Sequence, residues 1–258
     1  MKFIRYKTKT NDTKYGVLEE GNLITEITNT PFESFTNTDI THLIDDVSIL
    51  SPVTPSKIIC VGLNYLSHIK EMGLAIPKSP MLFMKPITTL TDPNTPIIHP
   101  KIGQKVEYEA ELTVVIGKPT RHVSESDALD YVLGYTCGND VSERVFQMQE
   151  MKSGAMLIGK GFDSFCPLGP VIETELDPDN VSVKARLNGE EKQNGNTSDL
   201  LFSASKLISY ISAAMTLMPG DVILTGTPSG VGPIAHGDTV EIEIPEIGIL
   251  KNNVTNEQ

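Results

Sequence analysis

The chain has 258 residues, 39% of them apolar and 21% charged, and its formal net charge is −12. This composition is typical of a globular protein, and the acidic balance disfavours nucleic-acid binding, which draws on clustered Lys and Arg. The sequence lacks an 18-residue apolar run and a signal-peptide core, and its three cysteines are too widely spaced for a disulfide framework or a thiolate zinc site. We therefore expect a cytoplasmic protein without a nucleic-acid or membrane partner.

The first 50 residues have the pattern of short strands broken by turns. Strands are predicted at 2–6, 15–18 and 23–27, and the segment 51–56, which contains two prolines, separates them from the rest of the chain. We therefore expect a small N-terminal β-rich lobe over residues 1–50 and a larger domain over residues 51–258.

Strand patterns also dominate the larger domain. Strands are predicted at 57–63, 109–116, 181–187, 221–225 and 239–244, and helices at 125–132, 140–152 and 202–217. The helical and strand segments do not alternate regularly, as they would in a doubly wound fold. This order of strand and helix segments therefore predicts an α+β fold built on mixed or antiparallel sheets.

Two glutamates stand two residues apart at the head of the apolar run 112–116. In a strand, Glu109 and Glu111 point to the same side of the sheet. Like charges held together repel each other unless a cation lies between them, as a divalent metal ion would. The pair therefore indicates a metal site, although the solvent-facing side of an edge strand is the more common explanation for this pattern alone.

A third acidic residue stands at the start of the predicted helix 140–152. With Asn139 or Asp140 at its N-cap, Asp140, Arg144 and Gln147 fall on one polar side of this helix. A carboxylate here, beside the glutamate pair, would complete an oxygen-only site suited to Mg²⁺ or Mn²⁺. The alternative, with about equal support, is that Asp140 caps the helix and Arg144 is a surface charge.

A histidine and a glutamate lie three residues apart in the segment 64–73. If this segment is helical, Asn64, His68 and Glu71 share one face, and Gly73 stands where helices often end. A carboxylate that holds an imidazole positions a base that works near neutral pH. His68 and Glu71 are thus a candidate acid–base pair, and an ordinary surface pair on a short helix is the alternative.

Two glycine-rich segments carry one lysine and one threonine suited to anion binding. Lys160 lies between two glycines, which leave its side chain unobstructed, although a lysine in a surface turn is more common. Thr227, in the segment 225–228, offers a hydroxyl and a backbone N–H group. Neither segment matches a phosphate-binding loop or a dinucleotide-binding fingerprint.

From about residue 51 to 254, the order of these segments resembles the fumarylacetoacetate hydrolase family in its short, prokaryotic-type form. The resemblance rests on Gly62-Leu63-Asn64-Tyr65 with His68 and Glu71, Phe83-Met84-Lys85-Pro86, Tyr108-Glu109-Ala110-Glu111-Leu112, Gly134-Tyr135 through Asn139-Asp140, Arg144-Val145-Phe146-Gln147, Lys160, and Thr225-Gly226-Thr227-Pro228. The chain departs from the family at residues 155–161, because members often have an aromatic residue a few positions before the lysine and many have a serine after it.

The resemblance implies a β-rich roll of mixed sheets, a catalytic domain over residues 51–258 and a homodimer. It implies that Glu109, Glu111 and Asp140 bind Mg²⁺ or Mn²⁺. It also implies that His68 and Glu71 form a catalytic pair on a mobile segment, assisted by Lys160. The implied substrate-binding residues are Asn64, Tyr65, Lys85, Arg144, Gln147 and Thr227.

The resemblance further implies a metal-dependent enzyme that acts on 2-oxo acids. The first hypothesis is hydrolysis of a C–C bond in acylpyruvate-like 2,4-dioxo acids, in which His68 and Glu71 deprotonate a water and Lys160 neutralises charge on the substrate oxygens. The alternative is a decarboxylase or isomerase of 2-oxo dicarboxylates, of the oxaloacetate or 2-hydroxyhepta-2,4-diene-1,7-dioate type. A non-catalytic homologue is a further alternative, against which the retention of all these residues argues.

Overall fold

The computed structural model describes the whole chain, residues 1–258. Its α-helices are α1 Leu66–Met72, α2 Arg144–Met151 and α3 Ala204–Ala214. Short 3-10 helices are Glu20–Asn22, Ile44–Asp46, Ile87–Thr89, Ala128–Tyr131, Ile158–Lys160 and Thr197–Asp199. The strands are β1 Lys2–Lys7, β2 Thr13–Leu18, β3 Leu23–Ile27, β4 Asn37–Leu43, β5 Ser48–Leu50, β6 Ile58–Gly62, β7 Met81–Lys85, β8 Leu90–Thr91, β9 Ile97–His99, β10 Val106–Tyr108, β11 Ala110–Ile116, β12 Val132–Asn139, β13 Ser142–Glu143, β14 Cys166–Glu173, β15 Ser182–Leu187, β16 Glu190–Asn196, β17 Val222–Leu224, β18 Gly232–Pro233, β19 Thr239–Ile244 and β20 Gly248–Asn256. A membrane crossing would require a longer and more apolar helix than any of these.

The strands form three sheets. The largest has twelve strands, ten of them in the order β4-β3-β2-β1-β14-β12-β11-β17-β6-β7, with β5 added beside β1 and β8 beside β14. A five-stranded sheet has the order β16-β15-β19-β20-β9, and a small sheet has the order β13-β10-β18. Most pairs are antiparallel, but β17 and β6 are parallel, so the large sheet is mixed. The α+β fold of mixed sheets predicted from the sequence is therefore confirmed.

The N-terminal strands extend the same large sheet that carries the middle of the chain. β1 pairs with β14, with Lys2 opposite Glu173 and Phe3 opposite Ile172. Phe3 packs in a smaller buried cluster with Ile58 and Ile172, so both parts of the chain contribute to one core. The division of the chain into a lobe over residues 1–50 and a domain over residues 51–258 stays a prediction.

β11 lies near the centre of the large sheet and is buried along its whole length. Burial of every residue is expected of a strand that is covered on both faces. Its residues Leu112 and Val114 belong to the main core cluster, together with Ile242 from the five-stranded sheet and Leu207 from α3. The strand therefore offers a rigid support for the polar residues at its N-terminal end.

The strand predictions are confirmed, whereas the helix predictions need correction. The predicted helix at 125–132 is only a 3-10 turn, because the side chains of Ser124, Ser126 and Asp127 hydrogen-bond to one another and offer this segment an alternative to a helix. The predicted helix at 202–217 is shorter, running over 204–214 after the N-cap Ser203, and leaves Met215 outside it.

The predicted helix at 140–152 begins four residues late, at Arg144. Its N-cap is Glu143, whose side chain accepts a hydrogen bond from the Phe146 N–H at 2.7 Å, so Asn139 and Asp140 do not cap it. The preceding residues instead continue the sheets, because Asn139 ends β12 and Ser142 begins β13. The N-terminal end of α2 is thereby placed beside the end of β12.

Candidate active site

Three carboxylates meet at one end of the β11–β12 pair. Ala110 lies opposite Asn139 in this pair, and the Asp140 N–H donates to the Glu109 carbonyl at 2.9 Å. The carboxylate oxygens of Glu109, Glu111 and Asp140 come within 4.8 Å of one another, and all three residues are buried. We refer to these three residues as the carboxylate triad. The structure thus brings together the acidic residues that the sequence predicts for a metal site.

Two buried lysines and the half-buried Arg144 neutralise two members of the triad. Lys160 Nζ donates to Glu109 Oε2 at 2.8 Å and to Asp140 Oδ2 at 2.7 Å. Lys85 Nζ donates to Asp140 Oδ1 at 2.5 Å, and Arg144 Nη2 donates to Glu109 Oε1 at 2.7 Å. Burial alone would raise the pKa of Glu109, but Lys160 and Arg144 hold it well below its usual range. Glu109 therefore stays ionised inside the protein.

Glu111 is the member of the triad without a cationic partner. It is 1% exposed, and its carboxylate accepts a hydrogen bond from the Gly226 N–H at 2.6 Å. Burial raises the pKa of Glu111 well above its ordinary value, and the neighbouring charges of Asp140 and Glu109 raise it further. Gly226 has a φ of +101°, in the left-handed region that favours glycine, and this conformation belongs to the loop that brings its N–H to the carboxylate.

The donor set of the triad fits a hard divalent cation. Its ligands are carboxylate oxygens alone, the type that Mg²⁺ and Mn²⁺ prefer, with no imidazole or thiolate among them. A cation bound here would also supply the counter-charge that Glu111 lacks. The structure therefore supports the divalent metal site that the sequence predicts.

The candidate acid–base pair lies on α1. His68 Nδ1 and Glu71 Oε2 are 2.9 Å apart, and Glu71 Oε1 accepts from the Gly230 N–H at 3.1 Å. In the tautomer that carries its proton on Nδ1, His68 donates to this carboxylate and leaves Nε2 as a proton acceptor. The helix ends at Gly73 with a φ of +64°, as the sequence predicts.

A cavity of about 140 Å³ joins these groups. The triad, His68, Arg144 and Lys160 contribute to its lining, together with Gln147 and Thr227. Glu71 does not line the cavity, but it contacts His68, which does. Methionines form much of the remaining lining, and no sequence pattern indicates that they meet. They are Met72, Met81, Met148, Met151 and Met156.

All three side-chain nitrogen atoms of Arg144 donate hydrogen bonds to other side chains of the protein. Nε donates to Glu107 Oε2 at 2.7 Å, and Nη1 donates to Gln147 Oε1 at 2.7 Å, while Nη2 reaches Glu109. Glu107 is 4% exposed, and it also pairs with Lys105. Arg144 and Gln147 thus reach the site from the first turns of α2. Glu107 supports Arg144 from β10, and no sequence pattern indicates this contact.

Three residues predicted to bind substrate are buried and do not line the cavity. The Asn64 side chain bonds to the backbone N–H and carbonyl of Phe202, at 2.9 and 3.0 Å. Tyr65 is completely buried, and Lys85, 2% exposed, is bonded to Asp140. None of the three lines the cavity, so their contacts here are with the protein. Their part in substrate binding stays a prediction.

Gln193 supports the site from the five-stranded sheet. Its Nε2 donates to Thr227 Oγ1 and to the Pro228 carbonyl, each at 2.8 Å, and its Oε1 accepts from the Ala110 N–H at 2.9 Å. It is 1% exposed. Gln193 therefore ties the Thr227 loop to the start of β11, next to the triad. Nothing in the polar segment 190–196 distinguishes this residue in the sequence.

The three cysteines take no part in this arrangement. Cys60, Cys137 and Cys166 are free and buried. Burial raises the pKa of Cys137 and of Cys166 to about 12, so both remain thiols at neutral pH. None of them belongs to the metal-ligand cluster.

The chain matches two family models. The model described as "Fumarylacetoacetate (FAA) hydrolase C-terminal" matches residues 57–255, and the model described as "Rv2993c-like, N-terminal" matches residues 1–52. The human protein named "Oxaloacetate tautomerase FAHD2A, mitochondrial" is 43% identical over 81% of this chain and 70% of its own length.

Two solved structures extend the comparison. The 2-hydroxyhepta-2,4-diene-1,7-dioate isomerase from Mycobacterium marinum is 39% identical, with a TM-score of 0.90 over 100% of this chain and 99% of its own. The maleylpyruvate hydrolase from Sphingobium sp. SYK-6, in complex with manganese (II) ion and pyruvate, is 30% identical, with a TM-score of 0.82 over 100% of both chains. These named relatives are enzymes, and this chain belongs to the fumarylacetoacetate hydrolase family.

Proposed function

We propose that this chain is a divalent-metal-dependent enzyme that transfers a proton at C3 of a 2-oxo acid and so interconverts its keto and enol forms. The observation that carries this proposal is the His68 imidazole, which is held by Glu71 and lines the same cavity as the carboxylate triad. The similarity to an oxaloacetate tautomerase and to a 2-hydroxyhepta-2,4-diene-1,7-dioate isomerase supports it.

The triad and its lysine would prepare the substrate for proton transfer. A divalent cation held by Glu109, Glu111 and Asp140 supplies a Lewis acid that makes the C3 hydrogens of a 2-oxo acid more acidic. Lys160 lines the cavity with its ammonium group between two of these carboxylates, so it places positive charge beside the substrate oxygens. The predicted role of Lys160 is part of this proposal.

His68 and Glu71 would carry the proton. In the keto-to-enol direction, His68 Nε2 accepts a proton from C3 and the C–H electron pair forms the C2–C3 double bond. The π pair of the C2 carbonyl moves to its oxygen, which takes a proton from solvent water. In the reverse direction, His68 returns the proton to C3. Glu71 orients the imidazole through Nδ1 and stabilises its charged form. The predicted catalytic pair thus consists of one residue that moves the proton and one that positions it.

Hydrolysis of a C–C bond in acylpyruvate-like 2,4-dioxo acids is the second candidate. The similarity to the maleylpyruvate hydrolase favours it. In this reaction His68 takes a proton from water, the water oxygen bonds to C4, the C3–C4 bond breaks, and C3 gains a proton. Decarboxylation ranks below both candidates, because breaking a bond to a carboxylate needs no proton acceptor and so gives His68 no part in that step.

Parallel assays separate these reactions. We expect the purified protein with Mg²⁺ to accelerate the decay of the enol absorbance of freshly dissolved oxaloacetate, to lose this activity in excess EDTA and to regain it with Mg²⁺ or Mn²⁺. Hydrolysis of acetylpyruvate without tautomerisation would favour the second candidate. If neither substrate reacts faster than the blank, both candidates are contradicted.

The assembly and location of the protein are part of the same proposal. The family resemblance implies a homodimer, and the composition disfavours nucleic-acid and membrane partners and favours the cytoplasm. Light scattering at micromolar concentration should give roughly twice the chain mass of 28.1 kDa. A monomer under these conditions would contradict the homodimer.

A further inference from the structure

The cavity has a charged side and an apolar side. Five of the nine methionines of the chain line it, and they come from α1, β7, α2 and the loop after α2. A methyl group placed on Gly62 would lie 2.4 Å from Cε of Met81 and 4.0 Å from Cε of Met156, so these two side chains converge over that glycine. Leu74 and Phe83 add to the same lining. We call the five methionines the methionine wall.

The lysine and the arginine of the cavity lining already have carboxylate partners of the protein, and neither is a residue of the methionine wall. The lysine and arginine of the lining are Lys160 and Arg144. Lys160 is bonded to two members of the triad, and Arg144 is bonded to Glu107, Glu109 and Gln147. The amide nitrogen of Gln147 contacts Met156 Sδ at 3.4 Å. A charged group placed against this wall would therefore lose its hydration without gaining an ionic partner.

Methionine suits an apolar ligand of variable shape. Its side chain is unbranched, has three rotatable bonds and carries a polarizable sulfur, so it adapts to the group it contacts. Met148 is 45% exposed, and Met72, Met81, Met151 and Met156 are half-buried, so this side of the cavity has room to adjust. Alkyl and aryl groups gain binding energy from such a surface, whereas a carboxylate does not.

We propose that the methionine wall binds an uncharged, apolar substituent at the far end of the substrate, so that the chain prefers 2-oxo acids with an alkyl or aryl tail to 2-oxo dicarboxylates. This inference rests on the proposed function, because the triad must hold the 2-oxo acid end. It differs from what the names of the tautomerase and isomerase relatives indicate, since oxaloacetate and 2-hydroxyhepta-2,4-diene-1,7-dioate are dicarboxylates.

A binding experiment tests the inference without relying on turnover. The probes are oxalate, N-butyl oxamate, and an oxamate of matched length whose tail ends in a carboxylate, each titrated by calorimetry into the protein with Mg²⁺. We expect N-butyl oxamate to bind about tenfold more tightly than the carboxylate-ended oxamate. Lengthening the alkyl tail by one methylene should tighten binding about threefold until the wall is filled.

A charge placed on the wall should reverse the preference. Met148→Lys introduces an ammonium group at a half-exposed position of the cavity, and it should improve binding of the carboxylate-ended oxamate by about tenfold. Met218→Lys is the matched control, because Met218 is 44% exposed and does not line the cavity. It should leave the binding of all three probes unchanged.

The outcomes distinguish this inference from the proposed function. If oxalate does not bind in the presence of Mg²⁺, the triad does not anchor a 2-oxo acid, and the proposed function and the inference fall together. If oxalate binds but wild type prefers the carboxylate-ended oxamate, only the inference is overturned. Equal binding of the two tailed oxamates, or no response to Met148→Lys, would overturn it as well.

Discussion

The charged and apolar sides of the cavity are built from different parts of the fold. Glu111 lies in β11, and Glu109 and Asp140 adjoin the paired ends of β11 and β12. All three residues are buried, and hydrogen-bond partners fix most of their carboxylate oxygens. The methionine wall comes from short helices, an edge strand and a loop, and it is partly exposed. On our proposals, the buried end of the sheet holds the metal, whereas the partly exposed methionine wall selects the tail of the substrate.

The largest effect is expected from replacing Glu111, the carboxylate of the triad that has no cationic partner. Glu111→Gln keeps the size of the side chain and an oxygen that accepts from the Gly226 N–H, but it removes a ligand charge. We expect Mn²⁺ binding to be lost and turnover to fall at least about 10³-fold, with the fold retained. Calorimetry with Mn²⁺ and circular dichroism measure the two effects.

The exposed Glu190→Gln serves as the control for Glu111→Gln, because Glu190 lies far from the triad in the sequence and outside the cavity lining. Unchanged Mn²⁺ affinity in Glu111→Gln would contradict the assignment of the triad as the metal site.

Changes to the acid–base pair should separate metal binding from proton transfer. His68→Ala and Glu71→Gln leave all three carboxylates intact, so Mn²⁺ and oxalate should bind as in wild type. Turnover should fall by about 10²–10⁴, the usual contribution of a positioned acid–base group. Steady-state kinetics, with Lys70→Gln on the exposed side of the same helix as control, tests this. Near-wild-type turnover in both variants would show that α1 is only a surface helix.

A smaller effect on turnover is expected from replacing Gln193, which connects the five-stranded sheet to the start of β11 in the large sheet. Gln193→Leu leaves the Ala110 N–H and the Pro228 carbonyl without their buried partner. The free energy of unfolding should fall by about 1–3 kcal/mol, and turnover should fall because Thr227 is no longer held. Urea denaturation and kinetics measure both effects. The exposed Asn194→Ala is the control, and equal behaviour of the two variants would show that Gln193 does not position the site.

The smallest effect is expected away from the cavity. Ser203 caps α3 by accepting a hydrogen bond from the Lys206 N–H at 3.2 Å. Ser203→Ala should lower the free energy of unfolding by about 1 kcal/mol and leave kcat and KM unchanged, because α3 contributes no residue to the cavity lining. A change in kcat would show that α3 influences the site.

The sequence predicts the charged side of the cavity better than the apolar side. Glu109 and Glu111 stand at the head of a strongly apolar strand, so their orientation follows from a local period of two residues. The His68–Glu71 contact likewise follows from helical spacing, and Gly73 marks the end of α1. These features are local in the chain, and local patterns are what a single sequence reveals most directly.

The remaining features depend on contacts between distant parts of the chain. Gln193 reaches the site because the five-stranded sheet packs on the large one, and no pattern around it indicates this contact. The methionines converge from separate elements and share no sequence period. Asp140 joins the triad through pairing of β11 with β12, whereas the sequence pattern places it in a helix. Tertiary packing likewise buries Asn64 and Tyr65 outside the cavity lining.

The central claim is that His68 moves a proton at C3 of a 2-oxo acid beside the triad. Proton NMR of pyruvate in D₂O measures this transfer directly, as loss of the C3 methyl signal with time. We predict metal-dependent exchange by wild type, at a rate that falls at least about 10²-fold in His68→Ala while Mn²⁺ binding is retained. Equal exchange rates in the two proteins, or no exchange above the Mg²⁺ blank with wild type, would contradict the account.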